Sequence, residues 1–217
     1  MSTIGVVVFP GTNCEMDVAW ALESLGTHVE QVWHRDSDLS GIDGVVLPGG
    51  FAHGDYLRAG AIARFSPVME PVAAMAKAGR PVVGICNGFQ ILCEARLLPG
   101  ALIANRGLRF LCKPIQIEVV DTETVLTAAA EEGAVLTVPL NSYEGQYTDP
   151  DHQARIVARY TEDVNGSQQQ AAAVANTGGN VVGIMPHPER SSEEILGSAD
   201  GRVLLEGLVA SCEKVTT

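Results

Sequence analysis

The sequence repeats one pattern, a short and almost wholly apolar run that leads into a stretch with glycine or proline and polar residues. The runs are IGVVVFP (4–10), GVVLPGG (44–50), PVVGIC (81–86) and GNVVGIMPHPE (179–189). A run that is apolar at consecutive positions has no face for water, which is typical of a strand buried on both faces of a parallel sheet. Segments with helical periodicity separate several runs, notably 67–79 and 87–98. We therefore expect a mostly parallel sheet with helices on both faces.

The second half of the chain has a different pattern. FLCKPIQIEVV, GAVLTVPL and ARIVARY are shorter β-rich runs separated by turn-like stretches. They predict an antiparallel β extension of the same sheet. No linker or internal repeat divides the 217 residues, so residues 1–217 are interpreted as a single domain.

The first helix is predicted to follow the first apolar run. Asn13 is its expected N-cap, and Gly26 its expected end. Helical spacing gives it an apolar stripe of Met16, Trp20, Ala21 and Leu25.

Charge and cysteine usage exclude several classes of protein. The 14 Lys and Arg residues against 26 Asp and Glu residues give a net charge of -12, which disfavours nucleic acid and anionic membranes as partners. The N-terminus has no basic segment before its short apolar run, so a cytoplasmic protein without a membrane span is expected. Five cysteines with no CxxC pair predict free thiols, with neither a disulfide frame nor a metal site.

Cys86 is the one cysteine with a glycine two residues away on each side. Gly84-x-Cys86-x-Gly88, between a strand and a helix, has the form of a nucleophile elbow with cysteine as the nucleophile. The start of the following helix offers free N–H groups and a positive dipole end, which favour the thiolate. The alternative is an inert buried cysteine, which is our interpretation of Cys93 in the apolar stripe of that helix.

A cysteine nucleophile needs a base and an orienting group. His187 and Glu189 are two residues apart in a segment that Pro186 and Pro188 are expected to hold extended, so both side chains would point the same way. Glu189 could then hold one ring nitrogen while the other faces Cys86. The alternatives are a surface histidine, or a metal site for which the remaining ligands have no recognisable spacing.

Acyl transfer also needs N–H donors for an oxyanion. The Gly49-Gly50 turn could supply one donor, because glycine turns its peptide N–H into a site without a side chain in the way. The N–H of Asn87 could supply the second. The alternative is an ordinary tight turn.

Four strings together carry a resemblance to a known family. PGTNCEMD, PGGFAHGDYLRAGAIARFSP, GICNGFQIL and MPHPERSSEEILGSADG occur in this order along nearly the whole chain. With them the chain resembles the class I, or triad, glutamine amidotransferases, and within that class the glutaminase subunits of phosphoribosylformylglycinamidine synthase. The resemblance implies a flavodoxin-like three-layer α/β/α sandwich.

The resemblance also implies a mechanism. Cys86 would attack the side-chain amide of L-glutamine, His187 would pass a proton to the departing ammonia, and Glu189 would orient His187. Hydrolysis of the resulting thioester would release glutamate. The residues implied to contact the substrate are Gly49, Gly50, Asn87 and Gln90, of which Gly50 and Asn87 would be the oxyanion donors.

By the same resemblance the ammonia would pass to a large synthetase subunit in de novo purine biosynthesis, with a small third subunit in some bacteria. ATP and magnesium would belong to the synthetase and no cofactor to this chain, which has no GxxxxGK[ST] loop. The loop 141–145 reads NSYEG where the family typically has AHGEG-like residues. Three alternatives remain: a glutaminase for another synthetase, a stand-alone cysteine hydrolase of this fold, or a non-catalytic module.

Overall fold

The computed structural model describes residues 2–215, which form a nine-stranded sheet, a separate two-stranded sheet and four α-helices. The strands are β1 (Thr3–Val8), β2 (His28–Trp33), β3 (Gly44–Leu47), β4 (Val82–Ile85), β5 (Ala101–Ile103), β6 (Leu111–Val119), β7 (Val135–Ser142), β8 (Gln146–Thr148), β9 (Arg155–Tyr160), β10 (Ala171–Ala175) and β11 (Val181–Ile184). The helices are α1 (Glu15–Glu23), α2 (Met69–Lys77), α3 (Asn87–Glu94) and α4 (Arg202–Val215). Residues 1, 216 and 217, at the ends of the predicted domain, lie outside the described residues.

The large sheet has the strand order β2-β1-β3-β4-β11-β10-β9-β6-β7. Its first five strands pair in parallel. Every residue of β3, β4 and β11 is buried, which confirms the interpretation of the apolar runs as strands covered on both faces.

The other four strands form the predicted antiparallel extension, since β10 pairs antiparallel with β11 and β9, and β6 pairs antiparallel with β9 and β7. The small sheet of β5 and β8 was not expected from the sequence. Neither was β10, because its sequence AAAVA is mostly alanine, a residue with little preference for strands.

Helices lie on both sides of the sheet and give the three layers. α1 packs on β1 and β2 and against α4, while α3 packs on β3, β4 and β11. Within residues 2–215, none of the helices combines the length and the apolar character needed to cross a bilayer.

The prediction for α1 was wrong in two details. The N-cap is Cys14 rather than Asn13. In the predicted apolar stripe, Met16 and Trp20 are 61% and 64% exposed, whereas Ala21 is buried and Leu25 packs against the core. The buried residues of α1 are Val18, Ala19, Ala21 and Leu22. Small and β-branched side chains let α1 approach its neighbours closely, and contact with these neighbours, rather than side-chain size, selects the buried face.

The order of β3, β4 and β11 determines where polar loops meet. These strands are parallel neighbours, so their carboxyl ends lie side by side at one edge of the sheet. The chain leaves β3 at Leu47 and enters Pro48-Gly49-Gly50, leaves β4 at Ile85 and enters Cys86, and leaves β11 at Ile184 shortly before His187. Loops at such edges are where ligands of open α/β sheets bind.

Candidate active site

Cys86 lies in a sharp turn between β4 and α3. Its backbone has φ 51° and ψ −105°, a conformation that costs free energy for any residue except glycine. A Cβ atom on Gly88 would lie 1.8 Å from the carbonyl oxygen of Leu47, and one on Gly84 would lie 2.6 Å from the carbonyl carbon of Gly88. The two glycines are therefore required by the close approach of strand and helix at the turn.

His187 and Glu189 form a buried pair beside this turn. His187 Nδ1 and Glu189 Oε1 are 2.6 Å apart, and each residue is only 2% exposed. The His187 N–H donates to the carbonyl of Pro139 at 2.8 Å, which attaches the histidine to β7. The expected extended segment was wrong, because residues Pro188–Ser191 form a 3₁₀ turn. The turn, rather than an extended strand, brings the carboxylate back to the ring.

The surroundings of His187 favour the protonated imidazolium. Burial lowers the pKa of His187, but the carboxylate of Glu189 and the thiol group of Cys86 raise it more, so the net pKa is well above 6.5. Within residues 2–215, Nε2 of His187 has no hydrogen-bond partner of good geometry, although the thiols of Cys14 and Cys86 lie close enough to raise the pKa of the ring. This nitrogen remains available to a bound molecule.

Gly49 lies where the reactive side chains converge. A Cβ atom at this position would lie 2.7 Å from Cε1 of His187, 3.1 Å from Sγ of Cys14 and 3.5 Å from Cβ of Cys86. A residue with a side chain would therefore collide with the histidine and the nearer thiol. The absence of a side chain at Gly49 keeps these groups close together.

The Gly49–Gly50 peptide is held in a defined orientation. The carbonyl of Gly49 accepts hydrogen bonds from the N–H groups of Asn13 and Cys14, each at 3.2 Å. Because a trans peptide points its C=O and N–H in opposite directions, the N–H of Gly50 points away from Asn13 and Cys14. Asn87 is the first residue of α3, so its N–H has no acceptor within the helix. Both predicted oxyanion donors are thus at backbone positions that leave the N–H group open.

The side chains of Asn87 and Gln90 link α3 to the surrounding loops. Asn87 accepts from the N–H of Ala52 at 3.0 Å and donates to Asp55 at 3.1 Å and to Oε1 of Gln90 at 2.8 Å. Gln90 in turn donates to the carbonyl of Glu144 at 2.6 Å. Neither residue lines the pocket next to Cys86, and their contact with a substrate remains a prediction.

A pocket of about 240 Å³ opens beside Cys86 and His187. Gly50 and several residues that the sequence did not indicate as site residues complete its lining. These are Asn13, Cys14, Phe51, Phe110 and Arg190; Asn141, from the loop 141–145 that the family resemblance places at the glutamine pocket, also lines it.

Cys14 is the main residue that sequence reasoning missed. Its Sγ lies within 4.8 Å of a ring nitrogen of His187 and a carboxylate oxygen of Glu189. Arg190 donates to this sulfur from Nη2 at 3.2 Å and to Asp17 from Nε at 3.0 Å. A signal was available, because Cys14 lies in PGTNCEMD and Arg190 directly follows PHPE, but only the tertiary structure brings the two together.

The unusual loop 141–145 forms one wall of the site. The backbone carbonyl of Asn141 accepts from Sγ of Cys86 at 3.5 Å. Ser142 is buried and does not line the pocket, while the side chain of Tyr143 is partly exposed. Asn105 fixes the loop by donating to the Ser142 carbonyl at 2.9 Å.

Comparison with known proteins identifies the family. Residues 2–155 match the CobB/CobQ-like glutamine amidotransferase domain. The phosphoribosylformylglycinamidine synthase subunit PurQ of Rubrobacter xylanophilus is 51% identical, over 97% of this chain and 99% of the relative. The PurQ subunit of Mycobacterium tuberculosis strain H37Rv is 52% identical, over 91% of each chain. The chain belongs to the PurQ family of glutamine amidotransferases.

Solved structures agree with membership of the PurQ family. A chain in the structure of PurLQS from Thermotoga maritima superposes with a TM-score of 0.93 at 41% identity, over 96% of this chain and 98% of that chain. A putative GMP synthase component from Thermoplasma acidophilum has a TM-score of 0.73 at 17% identity, over 100% of this chain and 96% of that chain. The second likeness shows the shared fold.

Proposed function

We propose that this PurQ-family chain is the glutaminase subunit of phosphoribosylformylglycinamidine synthase and hydrolyses L-glutamine to glutamate and ammonia for de novo purine biosynthesis. The observation that carries the proposal is the buried His187–Glu189 pair beside the elbow that holds Cys86. The family membership supplies the substrate, because the related subunits belong to a glutamine-dependent synthase. Residues 1–217 act as one glutaminase domain in this proposal.

In the first half-reaction the thiolate of Cys86 attacks the side-chain amide carbon of glutamine. The N–H groups of Gly50 and Asn87 stabilise the oxyanion of the tetrahedral intermediate. The imidazolium of His187 then gives its Nε2 proton to the leaving nitrogen, and ammonia departs as the thioester forms. Glu189 keeps the ring oriented and stabilises its positive charge throughout.

In the second half-reaction water replaces ammonia. Neutral His187 accepts a proton from the water through Nε2 as the water attacks the thioester carbonyl. The intermediate collapses, the Cys86 thiolate leaves, and glutamate is released. Gln90 contacts the bound glutamine from the side of the site near the loop 141–145.

We further propose that ammonia passes to a large synthetase subunit, which also binds a small third subunit. ATP and magnesium act in the synthetase, and this chain carries no cofactor of its own. The structure of PurLQS from Thermotoga maritima supports an assembly of this kind, because one of its chains closely matches this one. The proposed compartment is the cytoplasm, where a thiol nucleophile such as Cys86 remains reduced.

The test is Cys86→Ala in the reconstituted synthase. Glutamine-dependent synthesis should be abolished, because the nucleophile at the turn between β4 and α3 is lost, while synthesis from added ammonia should continue. Cys112→Ala, which changes an exposed thiol on β6, is the control and should retain both activities. Loss of ammonia-dependent synthesis in Cys86→Ala, with the complex intact, would contradict the division of labour between the subunits.

A further inference from the structure

Two thiols and an imidazole converge at the pocket. Cys14, Cys86 and His187 all line the 240 Å³ space. The sulfur of Cys14 lies within 4.8 Å of a ring nitrogen of His187. A Cβ atom on Gly49 would lie 3.1 Å from Cys14 Sγ and 3.5 Å from Cys86 Cβ, so both cysteines are close to the same point. The mechanism uses Cys86 and His187 and leaves Cys14 without a role.

His187 is oriented as histidines that bind metal ions usually are. A metal-bound histidine commonly donates its second ring N–H to a carboxylate, which fixes the ring and strengthens the ligand. Glu189 holds Nδ1 of His187 at 2.6 Å, and the buried Nε2 has no hydrogen-bond partner of good geometry among residues 2–215. Release of the Nε2 proton that the imidazolium carries leaves a lone pair that an ion in the pocket can bind.

We propose that Sγ of Cys14, Sγ of Cys86 and Nε2 of His187 form a binding site for a thiophilic divalent ion such as Zn²⁺, and that this ion inhibits the enzyme. The inhibition rests on the proposed glutaminase function, whereas binding of the ion does not. The ion is an inhibitor and no part of the catalytic cycle. It occupies the sulfur that attacks glutamine and the nitrogen that transfers the proton.

The geometry requires rotation of the cysteine side chains. Zinc bonds of about 2.3 Å to sulfur and about 2.0 Å to nitrogen place tetrahedral ligand atoms roughly 3.5–4 Å apart. Sγ of Cys14 and a ring nitrogen of His187 lie within 4.8 Å of each other. Sγ of Cys86 is not part of this cluster and donates to the carbonyl of Asn141 at 3.5 Å, so its side chain must rotate to complete the site. The fourth ligand is water from the pocket. On binding, the ion displaces the Nε2 proton of the His187 imidazolium and any thiol protons, which all pass to solvent, so no oxidant or further reactant is needed.

Charge and ligand type determine which ions fit. Arg190 donates from Nη2 to the sulfur of Cys14 at 3.2 Å, which holds this sulfur at the pocket and places a positive charge beside it. Two sulfurs and an imidazole select soft or borderline ions, while Mg²⁺ prefers oxygen ligands and octahedral geometry. The site should therefore bind Zn²⁺ or Co²⁺ and remain free of Mg²⁺, even where Mg²⁺ supports the synthetase.

The test is titration of the purified, reduced full-length subunit with Co²⁺ as a spectroscopic probe and Zn²⁺ as its competitor. One Co²⁺ per chain should bind and give a thiolate-to-cobalt charge-transfer band, and one equivalent of Zn²⁺ should remove it. Cys14→Ser should lower the Zn²⁺ affinity at least about tenfold, as expected for a lost ligand. Cys86→Ser should weaken the band in the same way and is a second variant in case Cys14→Ser folds poorly.

Cys112→Ser is the matched control, since it removes an exposed thiol that does not line the pocket, and it should leave affinity and spectrum unchanged. A band that persists undiminished in both Cys14→Ser and Cys86→Ser, or one that is lost in Cys112→Ser, would overturn the proposal. Binding of Zn²⁺ without inhibition of glutamine hydrolysis would refute the inhibitory role, but it would not contradict the metal-binding site. Absence of glutamine hydrolysis in metal-free protein with its partners present would count against the proposed function instead.

Discussion

At the scale of single residues, the site depends on groups that the protein holds in unfavourable environments. His187 is buried and yet has a pKa well above 6.5, because Glu189 and Cys86 outweigh the cost of burial. Asp55, which accepts from Asn87, has a pKa raised to about 6, because burial raises it more than the Asn87 hydrogen bond lowers it and Glu144 repels the charged form. Both groups therefore affect how the protein responds to pH.

Glu189→Gln tests the role of the carboxylate. The substitution removes the negative charge that most raises the pKa of His187. Burial of the ring, which lowers this pKa, remains, so the pKa of His187 should fall. The imidazolium of His187 would then lose its proton at a lower pH. The basic limb of the plot of kcat against pH for glutamine hydrolysis should therefore move to lower pH. We also expect kcat to fall roughly 100-fold, the scale of a general acid–base contribution.

Glu194→Gln is the control for this measurement, because Glu194 is an exposed carboxylate in the same segment. It should leave the profile of the reconstituted synthase unchanged. An unmoved basic limb in Glu189→Gln would show that the carboxylate does not set the ionisation of the histidine.

Asp55→Asn should stabilise the protein at neutral pH. The raised folded-state pKa means that the folded protein binds the Asp55 proton more tightly than the unfolded chain does. Stability is therefore lost as pH rises from about 4 to about 6, and the loss is complete above that range. Asparagine has no charge to bury and can still accept from Asn87.

The gain for Asp55→Asn should be about 1–2 kcal/mol at pH 7.5, after allowing for solvent screening at this half-buried position. Urea unfolding of both proteins at pH 4 and pH 7.5 measures it, and the difference should nearly vanish at the lower pH. An equal difference at the two pH values would mean that ionisation of Asp55 is not the cause.

At the scale of secondary structure elements, the elbow between β4 and α3 depends on how closely the helix approaches β3. Gly88 lies in the first turn of α3, directly against the carbonyl of Leu47. No side chain can be accommodated there without moving the helix away from the strand, and Cys86 would move with it.

Gly88→Ala should accordingly destabilise the protein by about 3 kcal/mol or more, at the upper end of the cost of overpacking. Gly107→Ala is a suitable control, because a Cβ atom at Gly107 has nothing within 4 Å. Chemical denaturation of both variants measures the difference. A Gly88→Ala protein as stable as Gly107→Ala would show that helix and strand are not tightly packed here.

Those parts of the fold and site that depend on local pattern could be predicted from the sequence. Strands buried on both faces leave an uninterrupted apolar run, and the glycines around Cys86 mark the sharp turn. The pairing of His187 with Glu189 was expected, but for the wrong backbone conformation. Contacts between distant segments determine which face of α1 is exposed, where β10 forms and where Cys14 lies. Such contacts leave no pattern in the local sequence.

At the scale of the whole molecule, the site is assembled from loops that span most of the chain and lies at the carboxyl ends of the parallel strands. Large apolar side chains remain exposed on these loops. Leu57 is 91% exposed, and Phe51 and Phe110, which line the pocket, are about half exposed. Exposed apolar groups around a pocket are typical of a surface that a partner covers.

We therefore expect the isolated subunit to hydrolyse glutamine slowly. Addition of the matched synthetase with ATP and the ribonucleotide substrate should raise kcat/KM roughly 5–150-fold, the usual range of coupling between sites. Steady-state release of glutamate, with and without the synthetase, measures the effect. Equal rates in the two conditions would contradict dependence on the partner.

The backbone of Cys86 has a consequence for how this protein can evolve. Cys86 has φ 51° and ψ −105°, a conformation that glycine tolerates best. Glycine, however, has no nucleophilic side chain. Selection for a more stable fold and selection for catalytic activity therefore oppose each other at this position. A lineage released from the need for ammonia would be expected to replace this cysteine early, since its loss would relieve strain in the chain.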